Sequence, residues 1–336
     1  MNAVADMTPA PALEVRGLTT VFESAAGPVK AVDDVGFDVL PGEVVGLVGE
    51  SGSGKSVTLR SIMRLVHAPG KVSGSVRWQG RDLIGLSEAD LREVRGGEIA
   101  MIFQEPMTAL NPVLPVGLQI EENLATHLAL GRRERAKRAE ELLDMVGIPE
   151  ARRRLHDYPH QFSGGMRQRV MIAIALASSP KLLLADEPTT ALDVTIQDQI
   201  LKLILRLRDE LSMSVVLVTH DLGVVAATCD RMAVMYAGRI VETGRVADIF
   251  AEPHHPYTRG LLGSVPQAGT ERSQLLSIEG TPPALSAIPP GCAFHPRCSF
   301  HVGRCLVDRP PLDGFAPGRS VACFEHRRVA AAGLAR

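Results

Sequence analysis

The chain has 336 residues, 45% hydrophobic and 22% charged, and its 36 Lys and Arg against 38 Asp and Glu leave a formal net charge of −2. Such a length predicts one large domain plus an extension, and such a charge balance gives no electrostatic case for binding nucleic acid. The N-terminal MNAVADMTPAPALEV lacks the basic start and apolar core of a signal peptide, and the longest apolar runs, VMIAIALA (170–177) and VVLV (215–218), are too short to span a bilayer; the chain is predicted not to cross a membrane by itself.

In chain order, residues 13–48 read as β segments: LEVRGLTTVF, a glycine-containing turn, VKAVDDVGFDVL, then EVVGLVG. Residues 55–66 read as a helix, and SGSVRWQGRDL (73–83) alternates again. From about 107 to 170 the pattern is helical, interrupted at NPVLPVG. The basic cluster GRRERAKRAEELLDMV (131–146) interleaves Glu134, Glu140 and Glu141, which predicts a solvated amphipathic helix face. KLLLADEP (181–188) and SVVLVTHD (214–221) are short apolar strands preceded by helical segments, a pattern that argues for a parallel, helix-covered sheet. RMAVMYAGRIVETG (231–244) reads as a hairpin around Ala237-Gly238. Beyond about residue 250 the composition shifts to Pro, His, Gly and Cys, which predicts a separate, loop-rich extension.

VGLVGESGSGKSVTLR (45–60) fits G-x-x-x-x-G-K-S directly after an apolar strand. Gly49, Gly52 and Gly54 can adopt positive φ and bring main chain close to a ligand. Successive N–H groups and a helix N-terminus then cradle a β-phosphate, Lys55 reaches the β- and γ-phosphates, and the Ser56 hydroxyl is left for Mg²⁺. Glu50, Ser51, Ser53 and Val57 complete the expected ATP-contacting stretch. In LLLADEP, Asp186 ends an apolar strand where a carboxylate can hold Mg²⁺, and Glu187 follows as the candidate to orient or deprotonate the attacking water. A second phosphate-facing helix start, QFSGGMRQRV (161–170), exceeds what one nucleotide needs and predicts that it serves a nucleotide held by another subunit.

These residues resemble the ATP-binding cassette (ABC) family, whose signature loop S-G-G-x-x-Q is matched by Ser163, Gly164, Gly165 and Gln168. The resemblance covers residues 13–250. It implies an α/β P-loop ATPase with a RecA-like core, an N-terminal antiparallel β subdomain and an inserted helical subdomain. Phe22 lies where the family stacks an aromatic on adenine, although an ordinary strand residue would look the same. Gln104 in MIFQEP matches the loop that senses the γ-phosphate and Mg²⁺, Asp193 in ALD the dimer-contact loop, and His220 in VLVTHD the switch histidine. HPYTRGLLGSVP (255–266) and the tail resemble the C-terminal extension of ATP-binding subunits of oligopeptide and dipeptide importers, with residues 251–336 as that extension. Met166 and FSGGMRQRVMIAIALA look like the D-type subunit of those importers. The resemblance implies a peripheral ATPase on the cytoplasmic side of the membrane. Its implied partners are a second, F-type ATPase subunit, two membrane permease subunits and an extracytoplasmic peptide-binding protein.

The alternative is a soluble cassette acting on DNA or ribosomes. Such proteins carry coiled-coil or zinc-bearing insertions, or two cassettes per chain, and neither feature is present. A GTPase would also need an Asn-Lys-x-Asp motif. Of five cysteines, Cys229 stands alone, while Cys292, Cys298, Cys305 and Cys323 follow C-x5-C-x6-C-x17-C. Four thiolates suit a four-iron four-sulfur cluster or a zinc ion. The wide spacings, and members of the resembled importers that hold a cluster, favour iron–sulfur; disulfides or free thiols are the other readings, and His295, His301 and His326 lie close enough in sequence to replace a thiolate.

Overall fold

A computed structural model gives the fold and describes residues 10–25, 27–104, 109–190, 192–264 and 278–333. The chain begins with β1 (Leu13–Ser24), β2 (Gly27–Val39) and β3 (Val44–Val48), followed by α1 (Lys55–Ile62) and the hairpin β4 (Gly70–Trp78) and β5 (Arg81–Asp82). Next come α2 (Glu88–Val94), β6 (Ile99–Ile102), α3 (Val116–His127), α4 (Arg132–Met145), α5 (Ala151–Arg154), α6 (Gly164–Leu176), β7 (Leu182–Asp186), α7 (Val194–Leu211) and β8 (Ser214–Thr219). The remainder is α8 (Leu222–Thr228), β9 (Arg231–Tyr236), β10 (Arg239–Arg245), α9 (Val246–Ala251), α10 (Pro256–Gly263), β11 (Asp313–Ala316), β12 (Arg319–Val321) and α11 (His326–Ala331).

Two compact units result, and each is interrupted in sequence. The phosphate-loop unit comprises Leu13–Val39, Val44–Ile84 and Val218–Arg336. In it an antiparallel sheet runs in the order β2-β1-β4-β5. Along β1, buried Leu13 and Val15 alternate with outward Glu14 and Arg16, so one face packs inward and the other meets solvent. The β4–β5 turn places Gln79 and Gly80 at φ 48° and 81°, the left-handed pair that matches strand twist in a two-residue hairpin loop. The unit's second set of strands runs β11-β12-β10-β9-β3. β3 pairs in parallel with β9 and is buried along its whole length, as an apolar strand covered on both faces must be. The β9–β10 hairpin turns at Ala237-Gly238 as expected.

The signature unit is built mainly of Leu40–Glu43 and Gly85–Leu217. Here β6 and β7 pair in parallel beside β8, and β7 and β8 are wholly buried. On α7, Ile200, Leu203, Ile204 and Leu207 recur at helical spacing and are buried; each contributes roughly 1.5–3 kcal/mol by leaving water. α4 buries Ala139, Leu142 and Leu143, while Lys137 and Arg138 turn outward to Glu141, the solvated face that the interleaved charges predict.

Three elements depart from the sequence expectations. α1 stops at Ile62 rather than running to 66, because Arg64 takes a left-handed φ of 49°. β6 and α2 carry too little periodicity to read: the first is four residues long, and the second is fixed by the Ser87 hydroxyl accepting from Asp90 N–H. The helical interval is realised as α3 to α6, with residues 107 and 108 outside the described residues.

The extension is also less separate than its composition suggests. β12 pairs with β10 through Glu242 and Val321, so the tail adds strands to a sheet begun earlier in the chain. Phe294 joins a buried cluster with Val48, Val234, Tyr236, Val241 and Tyr257, against which Ile278, Cys292 and Cys298 pack. Too poor in apolar residues for its own core, the tail completes another. The HPYTRGLLGSVP motif forms α10 with Pro256 at its first turn, and the motif's residues 265 and 266 lie outside the described residues.

Candidate nucleotide site

The predicted residues fall into two groups, one in each unit. In the phosphate-loop unit, the apolar run of β3 delivers the chain to Gly49, and α1 begins six residues later at Lys55. Gly49 and Gly54 have φ 152° and 103°. A Cβ on Gly49 would stand 2.2 Å from the Met235 carbonyl oxygen, and one on Gly54 2.4 Å from that of Ala31, so only glycine lets the loop turn here. Gly52 is also at positive φ, 77°, but faces open space. Gly54 caps α1 with no side-chain acceptor for the first N–H groups of the helix, which leaves these donors for an anion.

Lys55 is buried, and its Nζ donates to the Gly49 and Glu50 carbonyls at 2.8 and 2.9 Å, inside the curve of the loop. The Ser53 hydroxyl is buried and has no hydrogen-bond partner among the described residues. A buried orphan hydroxyl is unfavourable by about 1–3 kcal/mol. Together with the uncapped N-terminus it fits an anionic ligand, and the donor set fits the phosphates of ATP. Ser51 and Gly52 are exposed, whereas Glu50, Ser56 and Val57 are half-buried. Phe22 lies half-buried on β1, its ring edge where a side chain on Gly70 would otherwise go. His220 follows β8 and is exposed; Asp221 behind it fixes the turn by accepting from Gly223 and Val224 N–H at 2.8 and 3.2 Å.

In the signature unit, β7 ends on fully buried Asp186, and Glu187 follows at φ 46°, a left-handed conformation uncommon outside glycine. Its carboxylate accepts from Gln104 Nε2 at 3.1 Å and from the Thr190 hydroxyl at 2.8 Å. Thr190 has no sequence signature of its own. Ser163 caps α6 by accepting from Met166 N–H at 3.3 Å, and Ser163 and Gly164 are exposed. Asp193 caps α7 in the same way at 3.0 Å and is exposed beside Val194, whose exposure is 83%. The two helix starts adjoin: a Cβ on Gly165 would lie 2.7 Å from Ile196 Cγ2. Gln168 differs from the rest of the loop, being 1% exposed with its Nε2 unpartnered among the described residues.

The four tail cysteines line one small cavity, of about 10 Å³, together with His295 and His301. Burial pushes Cys292 up, Cys298 to about 11 and Cys323 to about 12, so these groups stand as protonated thiols. Among the described residues, no group of three or more His, Cys, Asp or Glu side chains is arranged to hold a metal ion. His326 lies apart, with its Nδ1 3.2 Å from that of His254.

Sequence reasoning missed Arg297 and Tyr257. Arg297 Nη1 and Nη2 bind the two Glu50 carboxylate oxygens at 2.8 and 3.0 Å, and Glu50 N–H donates to the Tyr257 hydroxyl at 2.7 Å. Both residues are more than 200 positions from the loop they touch, and no local pattern marks them.

Residues 32–190 match the family described as ABC transporter, and residues 241–305 match the oligopeptide/dipeptide transporter C-terminal region. The chain is 48% identical over 328 residues to the oligopeptide transport ATP-binding protein OppD of Salmonella typhimurium, covering 97% of this chain and 98% of that one. It is 51% identical over 314 residues to the oligopeptide transport ATP-binding protein AppD of Bacillus subtilis, covering 93% and 96%. Among solved structures, a dimeric ATP-binding cassette in a post-hydrolysis state with ADP and Pi matches with a TM-score of 0.63 at 32% identity, over 70% of this chain and 98% of that one. With no helix among the described residues long and apolar enough to cross a membrane, and with a phosphate loop, a strand-end Asp-Glu pair and a serine-capped signature helix in the family's order, the chain belongs to the ATP-binding cassette transporter family and carries its oligopeptide/dipeptide C-terminal region.

Proposed function

We propose that this chain is the ATP-binding and ATP-hydrolysing subunit that powers import of oligopeptides or dipeptides through a membrane complex. The observation that carries the reading is the Gly49–Lys55 loop, with no room for side chains at Gly49 and Gly54, an orphan buried Ser53 hydroxyl and an uncapped helix behind it. In this reading Lys55 and the N–H groups of α1 hold the β- and γ-phosphates, and Phe22 meets the adenine. Ser56, Asp186 and Gln104 are the residues that would hold Mg²⁺, which when bound neutralises charge developing on the transferred phosphoryl group. Glu187 orients the attacking water or takes its proton, an effect worth about 10²–10⁴-fold. Gln104 and Thr190 keep its carboxylate in place, and His220 lies at a strand end, where a switch histidine is expected.

Ser163, Gly164, Gly165 and Asp193 are exposed or half-buried helix starts in the signature unit, available to a second ATPase subunit. We assign them to the ATP of that subunit, of F type, with Gln168 supporting the loop from inside. Exposed Phe103, Val113 and Leu118 in the signature unit suit docking on two permease subunits, at the cytoplasmic face of the membrane and fed by an extracytoplasmic peptide-binding protein. By function the chain divides near residue 250 into cassette and importer-type extension. For the tail we propose a four-iron four-sulfur cluster, with zinc as the alternative. Its support is the convergence of four thiols on one cavity, and its ligands would be Cys292, Cys298, Cys305 and Cys323.

Reconstitution of the complex in proteoliposomes tests the main reading. Uptake of a labelled peptide should require ATP and stop with Lys55→Ala, and peptide uptake that continues with that variant would overturn it.

A further inference from the structure

Glu50 follows Gly49 in the phosphate loop, and three of its groups are held from elsewhere. Its N–H donates to the Tyr257 hydroxyl at 2.7 Å, its carbonyl accepts from Lys55 Nζ at 2.9 Å, and both carboxylate oxygens accept from Arg297. The Arg297 side chain is only 5% exposed. Its Nε donates to the Glu279 carbonyl at 3.0 Å, and its guanidinium lies 5.9 and 5.8 Å from the ring centroids of Tyr236 and Phe294. Tyr257 packs on the same rings, 4.7 Å from Tyr236 and 5.5 Å from Phe294. Arg297 and Tyr257 are therefore both set against the same aromatic rings. Residues Pro282–Ser286 border the outer face of the same loop across a cavity of about 450 Å³.

A bidentate guanidinium–carboxylate pair is strong and directional when shielded from water. It is placed on a segment whose glycines leave it free to adopt many conformations, and ordering such a segment on ligand binding opposes affinity. We propose that Arg297 and Tyr257 are positioning residues for the phosphate loop: by holding Glu50 they order Gly49–Lys55 for the triphosphate of ATP, so that the C-terminal extension sets nucleotide affinity. This rests on the reading of residues 49–57 as the ATP cradle.

The test is Mg·ATP binding to the full chain by calorimetry, with KM and kcat measured in the assembled complex. Arg297→Gln should raise the Kd and KM for ATP about tenfold and Tyr257→Phe about threefold, with kcat within about twofold, because only ordering of the ground state is lost. Arg297→Lys, which keeps the charge but not the fork, should fall between wild type and Arg297→Gln. In a Glu50→Gln background Arg297→Gln should add little, since the two act through one contact. Folded Arg297→Gln and Tyr257→Phe with unchanged Kd, or full additivity with Glu50→Gln, would overturn the proposal. If Arg297→Gln does not fold, Tyr257→Phe and Arg297→Lys decide by the same criterion. Lys55→Ala separates the two ideas: unchanged ATP binding there sinks the cradle itself, whereas weakened binding there with unaffected Arg297 and Tyr257 variants sinks only the positioning role.

Discussion

Gln104 donates to the Glu187 carboxylate at 3.1 Å across 83 residues of sequence, and Thr190 donates to the same oxygen from three residues downstream. Glu187 leaves β7 in a left-handed conformation, unfavourable by about 1–3 kcal/mol, which the flanking structure sustains. A carboxylate held in this way is oriented before any water arrives, which is what a general base or water-positioning group requires.

Glu187→Gln should therefore keep ATP binding and lose hydrolysis by about 10²–10⁴-fold, trapping a closed, ATP-loaded pair of cassettes. Lys55→Ala should do the reverse and weaken binding first, since its ammonium acts on ground-state charge. Turnover by Glu187→Gln at the wild-type rate in the assembled complex would remove Glu187 from its assigned role.

The isolated chain should be a poor ATPase whose rate rises when the partner cassette is added. Ser163 and Gly164 are exposed, and in the proposed reading a second subunit brings such a loop to each phosphate site. Gly165→Ala should lower this stimulated rate, because its methyl would press to 2.7 Å from Ile196 Cγ2 and shift the loop, while leaving ATP binding to the isolated chain intact. Full activity that does not depend on protein concentration would contradict the shared site.

The phosphate loop, the Asp186-Glu187 pair and the signature helix were legible because each is a local pattern: a strand, a turn chemistry and a helix start within about a dozen residues. The β3, β7 and β8 strands were legible for the same reason, being continuous apolar runs. The Arg297–Glu50 pair was not, since a guanidinium in a Pro- and Cys-rich tail looks like any surface arginine until the fold brings it beside Tyr236 and Phe294. The tail's part in the sheet was equally hidden, because β12 is three residues long and its pairing with β10 runs only through Glu242 and Thr243.

Acid should destabilise the phosphate-loop unit through His255. The ring is fully buried, its Nδ1 accepts from Tyr257 N–H at 3.1 Å, and burial lowers its pKa to about 3. An unfolded imidazole takes up its proton near 6.5, so between about pH 6.5 and 3 the unfolded state binds more protons and stability falls as the pH falls. At pH 5 the loss relative to pH 7 should be about 2 kcal/mol, read as a lower urea midpoint. His255→Asn, which keeps an acceptor without the titration, should flatten that dependence even where its stability is lower throughout. Equal pH dependence in both proteins would exclude His255 as the source.

Metal loading of the thiol cavity should compete with protons. Cys298 and Cys323, pushed to about 11 and 12 by burial, hold their protons at neutral pH, so any metal bound there must displace them. Loading of iron or zinc should therefore be weaker at pH 6 than at pH 8. The wide C-x5-C-x6-C-x17-C spacing suits a cubane better than the paired cysteines of zinc sites, and anaerobically purified protein should be brown and carry about four irons per chain. A colourless protein with one zinc would replace iron with the alternative metal. A chain that holds neither metal and exposes five alkylatable thiols, Cys229 and the four of the tail, when unfolded in reductant-free buffer would remove the metal site, and ATP hydrolysis, which moves no electrons, would be untouched by that result.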